Sequence, residues 1–276
     1  MAAVPLVAKR RLRQQGAMTG HVVAILRHPV KGFTPERLTA VDLRVGEGLP
    51  CDRIFAVENG PSGFDPERPA FVRKQKFAVL AAIAEVARAR TCYDETTGIL
   101  AARAEGMDDF SGRLIDAGGR TAFAAWLTAL LGEAANGPLK VLPAPAAHRF
   151  FDHPLGEISI VNLASLRELA ARIGRPVDPL RFRANLYVDG WPAWAENGWT
   201  GRRLSLGPVE AEVFKPIVRC AATHVDPVLA RRDMDVTKAL FDHFGHMHCG
   251  VYVHARTAGR LAVGDACQAP SEGEAA

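Results

Sequence analysis

The alternation of apolar and polar positions marks most of the strands in this chain. His21 to Arg27 is a strand-like run that Pro29 ends. Leu38 to Val45 alternates, and Gly46 and Gly48 then mark turns. Asp52 to Val57 predicts a further short strand, and the Gly- and Pro-rich stretch from Asn59 to Pro69 predicts a loop. Residues 77–90 are alanine-rich and predict a helix. Asp94 to Gly98 reads as the turn of a hairpin between Arg90–Tyr93 and Ile99–Ala104, and Phe110 to Asp116 closes the first half. Phe123, Trp126, Leu127, Leu130 and Leu131 recur at helical spacing, with Gly132 as the stop.

In the second half, Leu139 to Leu142 is strand-like. Glu157 to Asn162 reads as a buried strand leading into a helix through Ser165 to Ile173, stopped by Gly174. Asn162 and Ser165 are placed to cap that helix. The free N–H groups of a helix N-terminus attract anions, which would also put both residues near an anionic ligand. Leu186 to Val188 is a strand, and Leu204 to Phe214 is a hairpin about Gly207-Pro208. Thr237 to Phe244 predicts a short helix. Gly250–Ala255 and Arg260–Ala266 predict a last hairpin about Thr257-Ala258-Gly259. The pattern is that of a β-rich α+β protein.

Composition narrows the function classes. The chain has 276 residues, 48% hydrophobic and 23% charged, with a net charge of +4. That charge is mild, and no dense Lys/Arg block lies beyond the N-terminus, so nucleic acid is not an expected partner. Lys9, Arg10, Arg11 and Arg13 form a basic cluster with no apolar run after it, which argues against a secretory signal. Met18 stands just before the first strand, so residues 1–18 read as a loose tail or as a stretch before the true start. No apolar run approaches the ~18 residues of a membrane span. The five cysteines, Cys51, Cys92, Cys220, Cys249 and Cys267, contain no CxxC pair, and a reducing cytoplasm is the expected setting.

The candidate chemistry centres on Val218-Arg219-Cys220-Ala221-Ala222-Thr223-His224-Val225-Asp226-Pro227. The strand through Val209, Ala211 and Val213 meets Pro216, and Cys220 then follows Arg219. Thiolate is the form that attacks or ligates, and a neighbouring cation favours it. A buried structural cysteine is the plainer reading of the spacing. His243, His246, His248 and Cys249 contain zinc-type ligands, but residues i and i+2 on a strand face one side and Cys249 faces the other. The spacing leaves open whether a metal binds there. Lys31 and Arg53 read by themselves as ordinary loop and strand-edge cations.

The Arg-Cys-x-x-Thr and Val-Asp-Pro core resembles the MOSC domain family. Arg181-Phe182-Arg183-Ala184-Asn185-Leu186 is similar to that family's Phe-Arg-Pro-Asn-Ile, with Ala184 in place of the proline. Gly259-Arg260-Leu261-Ala262-Val263-Gly264-Asp265 is similar to its closing strand. Pro29-Val30-Lys31-Gly32 and Asp52-Arg53 resemble the β domain that precedes MOSC in the amidoxime-reducing branch. The matches span about residues 20 to 268.

The resemblance implies an N-terminal β domain over residues 19–118, a MOSC β-barrel-like domain over 119–268 and a tail over 269–276. It implies a molybdenum cofactor, molybdopterin with molybdenum held by Cys220. Lys31, Arg53, Arg183, Asn185 and Arg219, with Asn162 and Ser165 nearby, would bind the pterin and its phosphate. It also implies reduction of a small N-hydroxylated or N-oxide substrate. No flavin or iron–sulfur motif occurs, so electrons are expected from a separate donor protein. The family leaves two other readings open: a sulfur carrier with a persulfide on the same cysteine, and a cofactor-binding protein without turnover.

Overall fold

Alternation along the strands closes a barrel. The computed structural model describes residues 18–146 and 148–271. In chain order the first strands are β1 (Thr19–Arg27), β2 (Glu36–Leu38), β3 (Ala40–Leu43), β4 (Phe55–Asn59), β5 (Arg90–Asp94), β6 (Ile99–Arg103) and β7 (Phe110–Arg113). Helix α1 (Ala117–Leu131), β8 (Leu139–Pro143), β9 (Ile158–Asn162), α2 (Leu163–Ile173) and β10 (Leu186–Asp189) follow. The chain continues through β11 (Arg203–Leu206), β12 (Val209–Val218), α3 (Val236–Phe244), β13 (His248–Ala255), β14 (Gly259–Ala262) and β15 (Ala266–Gln268).

The strands run in the order β10-β9-β13-β12-β11-β15-β1, and β1 pairs with β10 to close the ring, with β2 attached outside β1. Strands β9 and β10 are parallel, and α2 is the crossover that such a pair requires. Val209, Ala211 and Val213 face the barrel interior, as their alternation predicts. They pack with Ile160, Val188 and Val251 and with the edge-to-face pair Trp191–Trp199, whose ring centroids are 4.9 Å apart. Strand β9 is buried on both faces because α2 and α3 cover the outside with Leu166, Leu169, Val236 and Leu240.

A second lobe is inserted between β3 and β9. It comprises the pair β4–β8, the three-stranded sheet β5–β6–β7 and α1, packed around Phe33, Phe55, Leu100, Phe123 and Leu127. The division expected at 118/119 falls inside α1, and β1 is a barrel strand. The physical reason is edge closure: without β1, β10 and β15 would each present an unpaired edge. Residues 1–17 and 272–276, expected to be tails, lie outside the described residues. Of the remaining tail positions, Ala269 is buried and its N–H donates to Met18 O at 2.9 Å.

Three local expectations are corrected. Residues 77–90 form no α-helix; a 3-10 turn covers Ala84–Arg88, and Phe77 bridges Glu58 instead. Ala78, Val79, Leu80, Ile83, Ala84, Val86 and Ala89 are all buried while Ala82, Glu85 and Arg88 between them are exposed, so packing in the lobe core overrides alanine's helix preference. The strand expected from Asp52 begins only at Phe55, because Cys51 and Arg53 take left-handed conformations at φ 58° and 51°. The last hairpin is absent: β14 pairs with β3, while β13 pairs with β12 and β9.

Gly250 is where β13 passes close to β9. Its φ is +77°, and an added Cβ would lie 2.2 Å from Ile160 O. Gly250→Ala is expected to destabilise the fold by about 1–3 kcal/mol through strain alone, with the clash adding to it; a melt of the variant within a degree of wild type would contradict this packing.

His28 follows β1 and is fully buried. Its Nδ1 stands 3.6 Å from Asp52 Oδ1, beyond hydrogen-bond range, while its backbone N–H donates to that oxygen at 2.6 Å. Burial, and then the charge of Arg183, push its pKa down to about 3. The unfolded imidazole binds a proton near pH 6.5, and the folded one does so only near pH 3. Stability is therefore fully present above pH 6.5 and is lost as pH falls through that window. The melting temperature is expected to fall from pH 6.5 to pH 4, and His28→Gln is expected to make the fall shallower; an unchanged slope in the folded variant would remove His28 as the cause.

Candidate functional site

Strand β12 carries two register irregularities, between Val213 and Lys215 and between Pro216 and Val218. Bulges re-aim the residues that follow them. Arg219 N then donates to Met247 O at 2.8 Å, and a 3-10 turn begins at Ala221. Cys220 is extended between them, and its carbonyl accepts from Thr223 N at 3.0 Å and from Thr223 Oγ1 at 2.9 Å. The thiol is thereby fixed, half-buried, in a cleft between barrel and lobe with about 840 Å³ of empty space.

The far wall comes from the lobe. Lys74 Nζ donates to Cys220 Sγ at 3.1 Å across 146 residues of sequence. Burial works against the Lys74 charge, but the nearby sulfur outweighs it and raises the pKa. Asp152 also faces the cleft. Its side chain is 45% exposed, so the partial desolvation that favours its neutral form is outweighed by Lys31, Arg53 and Lys74, which together hold the carboxyl well below the usual range.

Arg53 and Arg183 form the floor. Both are left-handed, at φ 51° and 53°, a conformation that costs a non-glycine residue energy and recurs at binding sites. Arg53 is salt-bridged to buried Asp52, and its Nη2 reaches Arg183 O at 3.4 Å. Arg183 Nη1 donates to Phe33 O at 2.8 Å. Burial, followed by the Arg53 charge, pulls the Arg183 pKa down to about 10. Lys215 and Tyr252 complete the barrel wall. Burial pushes the Tyr252 hydroxyl up to about 12.

Behind the cleft, Arg181 is 3% exposed and salt-bridged to Asp226 at 2.9 Å and Asp233 at 2.7 Å. It fastens the loop after Cys220 to the segment that carries Arg183. Arg219 lines the cleft but spends its donors on carbonyls, Nε on Cys249 O at 2.7 Å and Nη1 on Phe182 O at 2.8 Å.

The sequence-selected residues therefore separate. Cys220, Arg53, Arg183 and Arg219 line one cleft. Lys31 does not: it is 2% exposed, and its ammonium donates to Phe150 O, Phe151 O and Asp152 Oδ1 at 2.9, 3.1 and 2.5 Å. All of its donor capacity is used, so its charge acts on the cleft through Asp152. Asn162 caps α2 by accepting from Ala164 N at 3.1 Å, and its amide donates to Pro192 O and Glu196 Oε2. Ser165 is no cap; its hydroxyl donates to Glu196 Oε1 at 2.9 Å and accepts from Trp194 N. Asn185 accepts from Ser159 N and Oγ and donates to Leu26 O. These three are buried structural groups, because a free amide or hydroxyl in the interior needs partners and each has found them.

Lys74, Asp152, Lys215 and Tyr252 were not selected from sequence. The run Arg73-Lys74-Gln75-Lys76 was the one available signal for Lys74, and charge in a loop does not reveal what it reaches. Around the histidine cluster, the rings of His246 and His248 stack 5.4 Å apart, and Cys249 is buried on the other side. Among the described residues no group of histidine, cysteine and carboxylate side chains is arranged to hold a metal ion by itself. No helix among them is long and apolar enough to cross a membrane.

Comparison with known proteins gives the same two-part pattern as the motifs. The MOSC N-terminal beta barrel domain profile matches residues 19–156, and the MOSC domain profile matches residues 148–268. A molybdenum cofactor sulfurase of Caenorhabditis briggsae is 35% identical over 98 residues, 34% of this chain and 14% of that protein. Human mitochondrial amidoxime-reducing component 1 is 34% identical over 77 residues, 27% of this chain and 22% of that protein. The chain thus matches less than a quarter of the length of either relative. The solved YUAD protein from Bacillus subtilis aligns over 91% of this chain and 96% of its own, at 14% identity and a TM-score of 0.43. On the two profiles, which together run from residue 19 to residue 268, the chain belongs to the MOSC family, with the family's N-terminal β-barrel domain preceding its MOSC domain.

Proposed function

We propose that the Cys220 cleft binds a molybdenum cofactor and that the protein uses it to reduce small N-hydroxylated or N-oxide compounds. The observation that carries this reading is the half-buried thiol directed into a cation-lined cleft, with Lys74 Nζ at 3.1 Å from its sulfur. The names of the relatives, a molybdenum cofactor sulfurase and an amidoxime-reducing component, support it.

The residues present fit the group. Thiolate is a soft donor suited to a metal of this kind. Cationic side chains, among them Lys74, Lys215, Arg53 and Arg183, outnumber Asp152 on the cleft lining, which suits a pterin phosphate. Arg183 is the cation whose charge is most strained by burial and by a like neighbour, so an anion relieves it most. When bound, the cofactor supplies oxygen removal with two electrons. The chain supplies a sulfur ligand, charge-assisted contacts and a cleft of fixed shape. Arg219 and Thr223 hold the Cys220 backbone at the end of β12, so the ligand geometry is set before binding. Electrons come from a separate donor protein in this reading.

Cys220→Ser is expected to abolish benzamidoxime reduction by reduced viologen in the molybdenum-loaded, folded protein. Retained activity would remove Cys220 from the chemistry. Molybdenum is expected near stoichiometric by inductively coupled plasma mass spectrometry after expression in a cofactor-competent host. Absent molybdenum with cyanide-labile sulfur would favour the sulfur-carrier reading instead.

Arg183→Gln and Lys31→Met separate ligand contact from support. Losing a charged hydrogen bond costs about 1.5–3 kcal/mol, or roughly a ten- to hundredfold loss in pterin affinity. Arg183→Gln is expected to show that loss, read as pterin fluorescence after acid oxidation, with little change in melting temperature. Lys31→Met is expected mainly to lower the melting temperature, since it leaves Asp152 and two carbonyls without their donor.

A further inference from the structure

The segment Arg181–Phe182–Arg183 has a second open face. Opposite the Cys220 cleft lies a crevice between lobe and barrel with about 720 Å³ of empty space, and Arg181 and Arg183 line both. Its accessible apolar surface comes from Ala87 on the lobe and from Leu180, Pro227 and Val228, with the buried Phe33, Leu80 and Val225 beneath. Its charge is of one sign: Arg37, Arg90, Arg181 and Arg183 line it, and no carboxylate does.

These arginines are not equivalent. Arg181 is neutralised by Asp226 and Asp233. Arg90 is committed to Pro227 O and Val228 O at 2.6 and 3.0 Å. Arg183 has one donor on Phe33 O. The guanidinium of Arg37, exposed on β2, has no hydrogen-bond or ion-pair partner among the described residues. A largely apolar crevice with one uncommitted guanidinium at its rim matches a ligand with an apolar body and an anionic head. Residues 1–17, with Lys9, Arg10, Arg11 and Arg13, have the wrong charge to fill it.

We propose that this crevice is a second ligand site, for a small amphipathic organic acid whose apolar part lies against Ala87, Leu180 and Val228 and whose anion meets Arg37. Pro227 and Val228 follow Cys220 just beyond one short turn, so the occupant rests on the loop that carries the thiol.

The test uses two fluorescent probes of nearly the same shape, 8-anilinonaphthalene-1-sulfonate and the uncharged N-phenyl-1-naphthylamine. Saturable binding of the sulfonate to the folded protein, tighter than that of the amine, is expected. Arg37→Gln is expected to weaken the sulfonate roughly three- to tenfold, the lower range for an exposed charge, and to leave the amine within about twofold. Ala87→Trp fills the crevice from its half-buried lobe wall and is expected to abolish binding of both probes. Val228→Trp, at a position 69% exposed, serves the same purpose should Ala87→Trp not fold. Cys220→Ser is expected to change neither. Absence of saturable binding overturns the site. Equal affinity for the two probes overturns the anionic class, and sulfonate binding that survives in a folded, filled variant overturns the location.

Discussion

The structure depends on how cations are buried where the lobe meets the barrel. Lys31 is enclosed by two carbonyls and Asp152, and Arg53 by Asp52. Taking such charges out of water is costly, and the cost is offset only when geometry and hydrogen bonds are both good. Asp52 also accepts the backbone N–H of His28 at 2.6 Å, which ties the end of β1 to the turn that carries Arg53. The chain passes from barrel to lobe along this seam. Removing one partner would leave an uncompensated charge where the two parts touch.

The seam leaves an imbalance on its open side. Arg53 and Arg183 lie beside each other, and Lys74 meets the Cys220 sulfur. Asp152, already held by Lys31, is the carboxylate that faces them within the cleft. A site built this way favours an anion before any particular ligand is named. The same backbone that sets the charges sets the thiol. Arg219 is pinned to Cys249 O and Phe182 O, and Gly250 lets β13 pass close to β9 just beside it. Packing in the barrel wall and the placement of the Cys220 thiol are thus one constraint.

The insertion of the lobe into the barrel gives the cleft its two sides. Strands β1 to β3 precede the lobe and β9 follows it, so both ends of the lobe are anchored on barrel strands. Lys74 and Asp152 lie within the inserted stretch, and Cys220, Lys215 and Tyr252 lie on the barrel. Arg181, held by Asp226 and Asp233, then joins the loop after Cys220 to the segment that floors both the cleft and the crevice behind it.

The sequence alone determined the strands whose alternation is strict. Val209, Ala211 and Val213 sit inward because period two leaves one face apolar, and the hairpin about Asp94–Gly98 follows from turn chemistry. It also determined that Cys220 ends a strand beside an arginine, and it carried the motifs of the MOSC family. Tertiary structure decided what local pattern could not. Residues 77–90 lost their helix to core packing, and β14 left its hairpin to pair with β3. Lys31, Asn162, Ser165 and Asn185 read like ligands because polar residues in motifs look alike whether they bind a ligand or hold up the wall behind it. Which of the two they do depends on the partners that folding supplies, and those partners lie up to 159 residues away. Lys74 came to Cys220 across 146 residues for the same reason: the encounter of lobe and barrel is a property of the packed surfaces and leaves no spacing in the chain to read.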